Sequence, residues 1–251
     1  MQRSTVSPRD IEAIERATVA AVAPSASEDF DGWLLAFDSG AIGRAKCAVP
    51  LQHTAYPTSA VQSIEERYAA RGYPPMFRIA DASALDPIRS ELKRRGYEPG
   101  RPTLVQVAST EEMRHVSAQA IAEVADAPDA AWMAIFVGPG FDPVDGASRA
   151  RSLGRTPGSV YASVREDGRA IACGAASFGF GWASVHGMRT EQARRGEGLA
   201  GRVLAGLSAV ALERGMPKTF LQVEDNNAAA LSLYRRAGFE TLWGYAYWRR
   251  P

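Results

Sequence analysis

One pattern is written twice in this chain, and it limits the fold more than any other feature. FRIADASALDPIRSELKRRGYEPGRPTLVQV, beginning at Phe77, and FLQVEDNNAAALSLYRRAGFETLWGYAYWRR, beginning at Phe220, both read as strand, loop, helix, arginine-rich last turn, glycine, aromatic, glutamate and strand. In each copy a glycine, Gly96 or Gly238, stops the helix, because a residue free to take the left-handed conformation ends a helix at low cost. A repeat at domain length implies two similar domains and not a solenoid. The 251 residues, 46% of them hydrophobic, can fill two cores. The pattern restarts after Ser109, which sets the expected division at 1–108 and 109–251.

Local signals place the elements between these endings. Ser7 and Pro8 open a helix in which apolar Ile11, Ile14, Ala17 and Val22 recur at helical spacing. GWLLAFDSGAIGRAKCAVP reads as two strands joined by a turn at Asp38-Ser39-Gly40, and SAVQSIEERYAARG as a helix capped by Ser59 and ended by Gly72. The second half begins with an expected helix, EEMRHVSAQAIAEVA, and an irregular stretch from Ala125 to Gly158 whose run AAWMAIFVG fits a helix or a strand. SVYASVRE and RAIACGAASFGFG alternate as strands about the turn Asp167-Gly168, and WASVHGMRT adds a third. A helix from about Gly198 to Arg214 leads into the second copy of the repeated ending.

Charge and composition remove several function classes. With 29 Lys plus Arg against 28 Asp plus Glu, the net charge of +1 provides no field to draw the chain to nucleic acid or an acidic membrane. The polar stretch Met1 to Asp10 resembles neither a secretory signal nor a membrane span, so a cytoplasmic protein is expected. Cys47 and Cys173 each lie among small apolar residues and are expected to be buried free thiols, with a disulfide left open. His53, His115 and His186 show no metal-ligand spacing, and no metal is expected.

The chemistry is concentrated where a strand turns into a helix, at Arg195-Gly196-Glu197-Gly198-Leu199-Ala200. A helix start exposes unpaired N–H groups and the positive end of the macrodipole, and small residues at Gly196, Gly198 and Ala200 let a phosphate approach the backbone. A plain strand-to-helix turn accounts for the glycines equally well. A P-loop would need Gly-Lys-Ser/Thr, whereas Gly198 is followed by Leu199-Ala200. A dinucleotide fold would need GxGxxG early in a βαβ unit, whereas antiparallel-looking strands precede this loop.

These residues resemble the acetyl-CoA signature of the GCN5-related N-acetyltransferase (GNAT) family, Gln/Arg-x-x-Gly-x-Gly/Ala, at Arg195, Gly198 and Ala200. Downstream, Asn227, Ala230, Leu233 and Tyr234 match a second family motif, and Gly238-Phe239 closes the helix as the family does. The resemblance covers residues 109–251 well and 1–108 in outline. It implies an α+β fold of two GNAT-like domains, each a mixed, mostly antiparallel sheet flanked by helices, the second catalytic and the first a degenerate copy. It further implies that acetyl-CoA is the co-substrate and a primary amine of a small molecule or peptide the acceptor. Amides from Arg195 to Ala200 would hold the pyrophosphate, strand backbone near Met188 and Thr190 would pair with the pantetheine, and Asn227 would contact the same arm. Tyr234 would protonate the departing thiolate.

The general base departs from the family pattern. Gln222 stands where related peptide acetyltransferases often carry Glu, which leaves Glu224 and His186 as candidates. The first half has no counterpart of the phosphate loop, and Leu92 falls opposite Tyr234. A non-catalytic acyl-CoA-binding or sensor protein on the same fold is the alternative reading, and an interaction protein on a dead fold a third. The oligomeric state is left open.

Overall fold

Ser7 accepts the amide of Asp10, and Pro8 opens helix α1 (Pro8–Ala20), as the sequence predicts. The structure, a computed structural model, describes residues 7–251, so Met1–Val6 of the polar opening stretch lie outside the described residues. The first half continues with β1 (Ala26–Phe30), β2 (Trp33–Phe37), β3 (Ala48–Pro50), α2 (Ser59–Ala70), β4 (Phe77–Ala80), α3 (Asp86–Arg94) and β5 (Glu98–Ser109). The second half runs through α4 (Thr110–Arg114), β6 (Glu123–Ala125), α5 (Ala130–Ala134), α6 (Pro143–Gly154), β7 (Val160–Glu166), β8 (Arg169–Gly179) and β9 (Trp182–Thr190). It ends with α7 (Leu199–Glu213), β10 (Lys218–Glu224), α8 (Ala228–Arg236) and β11 (Glu240–Arg249).

All eleven strands form one sheet in the order β1-β2-β3-β4-β11-β5-β10-β9-β8-β7-β6. Its pairing scheme is written twice. In the first half β1, β2 and β3 pair antiparallel, and β3 pairs parallel with β4; in the second, β7, β8 and β9 pair antiparallel, and β9 pairs parallel with β10. Each half then takes its next strand from the other. β4 pairs antiparallel with β11, β10 pairs antiparallel with β5, and β5 and β11 pair with one another at the centre. We therefore propose the division at 1–108 and 109–251 as one between chain repeats and not between detachable bodies, since each repeat completes the other's sheet.

The two repeated endings agree in backbone detail. Gly96 and Gly238 take φ of +81° and +82°. Tyr97 N–H donates to the Leu92 carbonyl at 3.0 Å, and Phe239 N–H to that of Tyr234 at 2.9 Å, the same six-to-one closure of a helix end.

Three expectations change. The helix expected over EEMRHVSAQAIAEVA is only the short α4, and Glu123–Ala125 is the edge strand β6. The intervening chain is tied to α7, with Ala122 N–H donating to the Arg202 carbonyl and Arg202 Nε to that of Ala120, so pairing across the fold replaces the local helix. Strand β1, not read from the sequence, folds onto β2 about Asp31-Gly32, whose φ of +44° and +79° are those of a tight hairpin turn. Helix α6, also not read, starts from Asp142, which caps the Asp145 amide ahead of Pro143. Among smaller differences, AAWMAIFVG becomes α5 and a following 3-10 turn, and α2 is preceded by Thr58 with no side-chain cap, Ser59 being its first helical residue.

The core lies on both sides of the exchange. Trp33, Phe37, Ile64, Tyr68, Phe77 and Leu92 fill the first half together with Trp243 and Trp248 of β11. Val203, Leu204, Leu207, Leu221 and Phe239 fill the second. A third cluster joins Ile42 and Ala45 of the first half to Trp132, Phe136 and Leu153. Cys47 and Cys173 are buried free thiols, and burial pushes the Cys47 thiol up to about 11, which makes it inert as a nucleophile.

Candidate functional site

β9 and β10 separate where the parallel pairing ends. They are in register only at Ala183, Ser184 and Val185 with Thr219, Phe220 and Leu221; beyond these, β9 continues through His186–Thr190 without β10, while β10 turns to β5. The register slips between β8 and β9 next to Gly187, whose φ is +62°. The positive φ favours glycine there, and a Cβ would also have to displace the end of the Leu153 side chain of α6, 2.6 Å away. The divergence opens a cleft of about 360 Å³.

Each wall of the cleft comes from a different part of the chain. β9 contributes His186, Met188 and Arg189; β10 contributes Gln222, Val223 and Glu224; α8 contributes Asn227, Ala230 and Tyr234. Asp145 and Arg149 come from α6, and Ile42 and Arg44 from the first half. Five residues expected at the site, His186, Met188, Glu224, Asn227 and Tyr234, therefore meet in one place. Thr190 lies further along β9, outside the lining, on the way to the loop that precedes α7.

That loop has the features an anion site needs. Gly196 and Gly198 have φ of +87° and +78°, and Gly198 is the left-handed N-cap of the 15-residue α7, with no side-chain cap. The first helical bonds are those of Gly201 and Arg202 to the Gly198 carbonyl, which leaves the earlier amides of the helix pointing outward. Only the backbone of Leu199 is available there, since its side chain is in the core. Arg195 is exposed, while its neighbour Arg194 is held by Glu197 at 2.8 Å and by Glu166 at 2.5 Å and so braces the loop. The residues present thus fit a pyrophosphate at the head of α7.

Tyr234 is 7% exposed, faces the cleft and packs edge-on against Phe239. Burial pushes its phenol up to about 12, partly opposed by Arg189, so the proton is retained over the whole working range of pH. Asn227 caps α8 by accepting the Ala230 amide at 3.2 Å, which commits its carbonyl oxygen and leaves its amide N–H groups for a ligand.

The two candidate bases differ. His186 is 3% exposed, with Nε2 at 2.8 Å from Ser184 Oγ and Nδ1 enclosed without a partner. Burial, with Arg44 adding to it, holds the imidazole pKa well below the ordinary value, so protonating it is costly. Glu224 is exposed at the cleft.

Gln222, where a base would be expected, is held on three sides: its oxygen accepts Tyr245 OH at 2.8 Å and Arg44 Nη1 at 3.3 Å, and its Nε2 donates to Thr18 at 2.9 Å. Sequence reasoning missed Arg44, Arg189, Asp145 and Arg149. The spacing of Asp145 and Arg149, four apart after the Asp142-Pro143 helix start, was the only available signal for any of them. A second pocket of about 510 Å³, walled by Ile135, Phe141 and Ala170, is mainly apolar, and its carboxylate Glu191 is paired with Arg169 at 2.6 Å.

A sheet that splays beside a glycine-started helix defines the class of the GNAT acetyltransferases. The sequence matches, over residues 9–248, the model of a family described as probable histone acetyltransferase Rv0428c C-terminal. The structure is similar to a GCN5-related N-acetyltransferase from Kribbella flavida, with a TM-score of 0.73 and 17% identity, over 99% of this chain and 97% of that one. It is also similar to a tandem GNAT protein from the clavulanic acid biosynthesis pathway, with a TM-score of 0.61 and 12% identity, over 98% and 88%. A third similar structure, a GCN5-related N-acetyltransferase from Sphaerobacter thermophilus, has a TM-score of 0.55 and 18% identity, over 98% and 95%. No curated protein matches the sequence. The chain belongs to the GNAT acetyltransferases, in the family described as probable histone acetyltransferase Rv0428c C-terminal.

Proposed function

We propose that the chain is an acetyl-CoA-dependent N-acetyltransferase that acetylates a primary amine of a small molecule or peptide. The observation that carries this reading is the alignment of three features along β9: the open amides at the head of α7, the free edge at His186–Thr190, and a protonated Tyr234 in the cleft at its end. Pyrophosphate would rest on the amides from Arg195 to Ala200. The pantetheine amides would extend the sheet along Met188 and Thr190, with Asn227 donating to the same arm. Neutral amine then attacks the thioester carbonyl: a C–N bond forms, the C–S bond breaks, the amine proton leaves to Glu224 directly or through water, and sulfur takes up the electron pair.

Tyr234 assists the sulfur. A free thiol has a pKa of about 8.5, below the phenol's value of about 12, so complete transfer of the proton is uphill and the main assistance is a hydrogen bond that strengthens as charge develops. A cytoplasmic setting, where acetyl-CoA is available, belongs to the same reading. Binding of acetyl-CoA by calorimetry, followed by CoA release with an amine panel, tests it; absence of acetyl-CoA binding overturns it. The second reading, a non-catalytic acyl-CoA-binding or sensor protein, draws on Gln222 and the enclosed His186. It requires that acetyl-CoA bind while no amine releases CoA.

A further inference from the structure

We infer that the acceptor carries a carboxylate as well as its amine, and that Arg44 and Arg189 receive that carboxylate. The inference rests on the acyltransferase reading and specifies its acceptor. Arginines elsewhere in this protein are mostly paired: Arg149 itself meets Asp145 at 2.5 Å, and buried Arg78 meets Glu15. Most of the described arginines without a carboxylate partner are exposed to solvent, whereas Arg44 and Arg189 are half-buried and both line the cleft. Among the described residues neither has a carboxylate partner. Arg44 is engaged by the neutral Gln222 oxygen at 3.3 Å, and Arg189 by the Met188 carbonyl at 3.3 Å, with Nε of Arg189 enclosed and without any partner.

A partly buried guanidinium with unused donors is a standing cost unless a ligand satisfies it, and its planar fork matches a carboxylate. Arg189 is also held in place, its guanidinium lying 5.4 Å from the Phe136 ring centre and 5.0 Å from that of Phe141. Arg44 is fixed by Gln222, which explains why a well-braced amide occupies that position: a carboxylate there would neutralise Arg44. The remaining free charge in the cleft is Glu224, suited to an ammonium or to its proton. One anionic and two cationic groups thus await a small ligand of the opposite pattern, and about 360 Å³ leaves room for little more than a small molecule beside the thioester. A lysine-rich peptide would instead bring positive charge to two unpaired arginines.

The test uses the full chain saturated with CoA. Amino acids and ω-amino acids, each beside its own carboxamide, are titrated by calorimetry, with a lysine-rich peptide as a further probe, and CoA release from acetyl-CoA is followed with the same panel. The expected result is at least one pair in which the carboxylate binds about tenfold or more tightly than the amide, with the preference lost in Arg189→Gln and Arg44→Gln and partly kept in Arg189→Lys. Melting temperature shows that each variant is folded. Equal binding across every pair, or preference for the peptide, overturns the inference while leaving the acyltransferase reading in place. If acetyl-CoA itself does not bind, that reading falls and this inference falls with it.

Discussion

The two halves share a pairing scheme and a helix ending, yet only one keeps its parallel strands apart around an open space. In the second half β9 and β10 part beside a cleft lined by polar groups. In the first half β3 and β4 touch at the single pair Ala48 and Phe77, and Trp33, Phe77, Leu85 and Trp243 are packed in one buried core cluster. The same contrast holds residue by residue. Leu92 is fully buried where Tyr234 turns its hydroxyl to the cleft, and α2 starts after Thr58, in the ordinary helical conformation, where α7 starts from a left-handed glycine. One copy of the fold has packed the space beside its parallel strands and the other has left it open as a polar cleft. The packed half nevertheless takes part in the site, through Arg44 and Ile42 and through Thr18, which fixes Gln222.

The sharpest break in this comparison is expected at Leu92. Removing its fully buried side chain in Leu92→Ala should cost about 2–5 kcal/mol of stability, read by denaturant unfolding, while the folded fraction still binds one acetyl-CoA per chain. Two acetyl-CoA sites per chain would show that the first half is not packing alone.

Gly198→Val should come next. A Cβ at this position has room, its nearest neighbour being the Gln119 side chain at 3.7 Å, so the penalty lies in holding a branched residue at φ +78° and in crowding the phosphate. By crowding the phosphate the side chain should lower acetyl-CoA affinity by about ten- to a hundredfold, a loss of about 1–3 kcal/mol of binding, while the strain at φ +78° lowers stability. The same change at Gly72, which has φ of +73° at the end of α2, should lower stability and leave the affinity of the folded protein alone. Equal losses of affinity at both positions would count against a phosphate site at α7.

For Tyr234→Phe, acetyl-CoA affinity should be unchanged and kcat lower by about tenfold, the low end for acid assistance, because a hydrogen bond and not a full proton transfer is removed. The wild-type rate should also show no decline as pH rises through the ordinary tyrosine value near 10, since the phenol is held to about 12. A rate that falls between pH 9 and 10 in the wild type and not in the variant would refute the burial argument.

The smallest effect expected is on acid stability. Burial, with Arg78 adding to it, lowers the His53 pKa from 6.5 to about 4. The unfolded chain therefore takes up this proton first, and stability is level above pH 6.5 and declines as pH falls from there towards 4. His53→Gln should flatten that decline by a few degrees of melting temperature between pH 7 and 5, whatever its effect at neutral pH. An unchanged slope would mean that His53 is protonated in the folded protein.

Sequence by itself determined the local features. The repeated endings, the α1 cap, the β7-β8-β9 meander and the glycine-started α7 each depend on residues close in the chain, and turn and cap chemistry is set by a few neighbouring side chains. It also brought Tyr234, Asn227, Met188 and Glu224 forward as site residues, because their motifs lie on adjacent elements. The exchange of β5 and β11 between the halves was not legible, since either strand carries an edge that fits the other sheet and only the closed packing of Trp243 and Trp248 in the first core selects the pairing. Nor were Arg44 and Arg189. Single arginines carry no periodic signal, and their meaning arises from being brought together without enough carboxylates to satisfy them, a condition of tertiary structure alone.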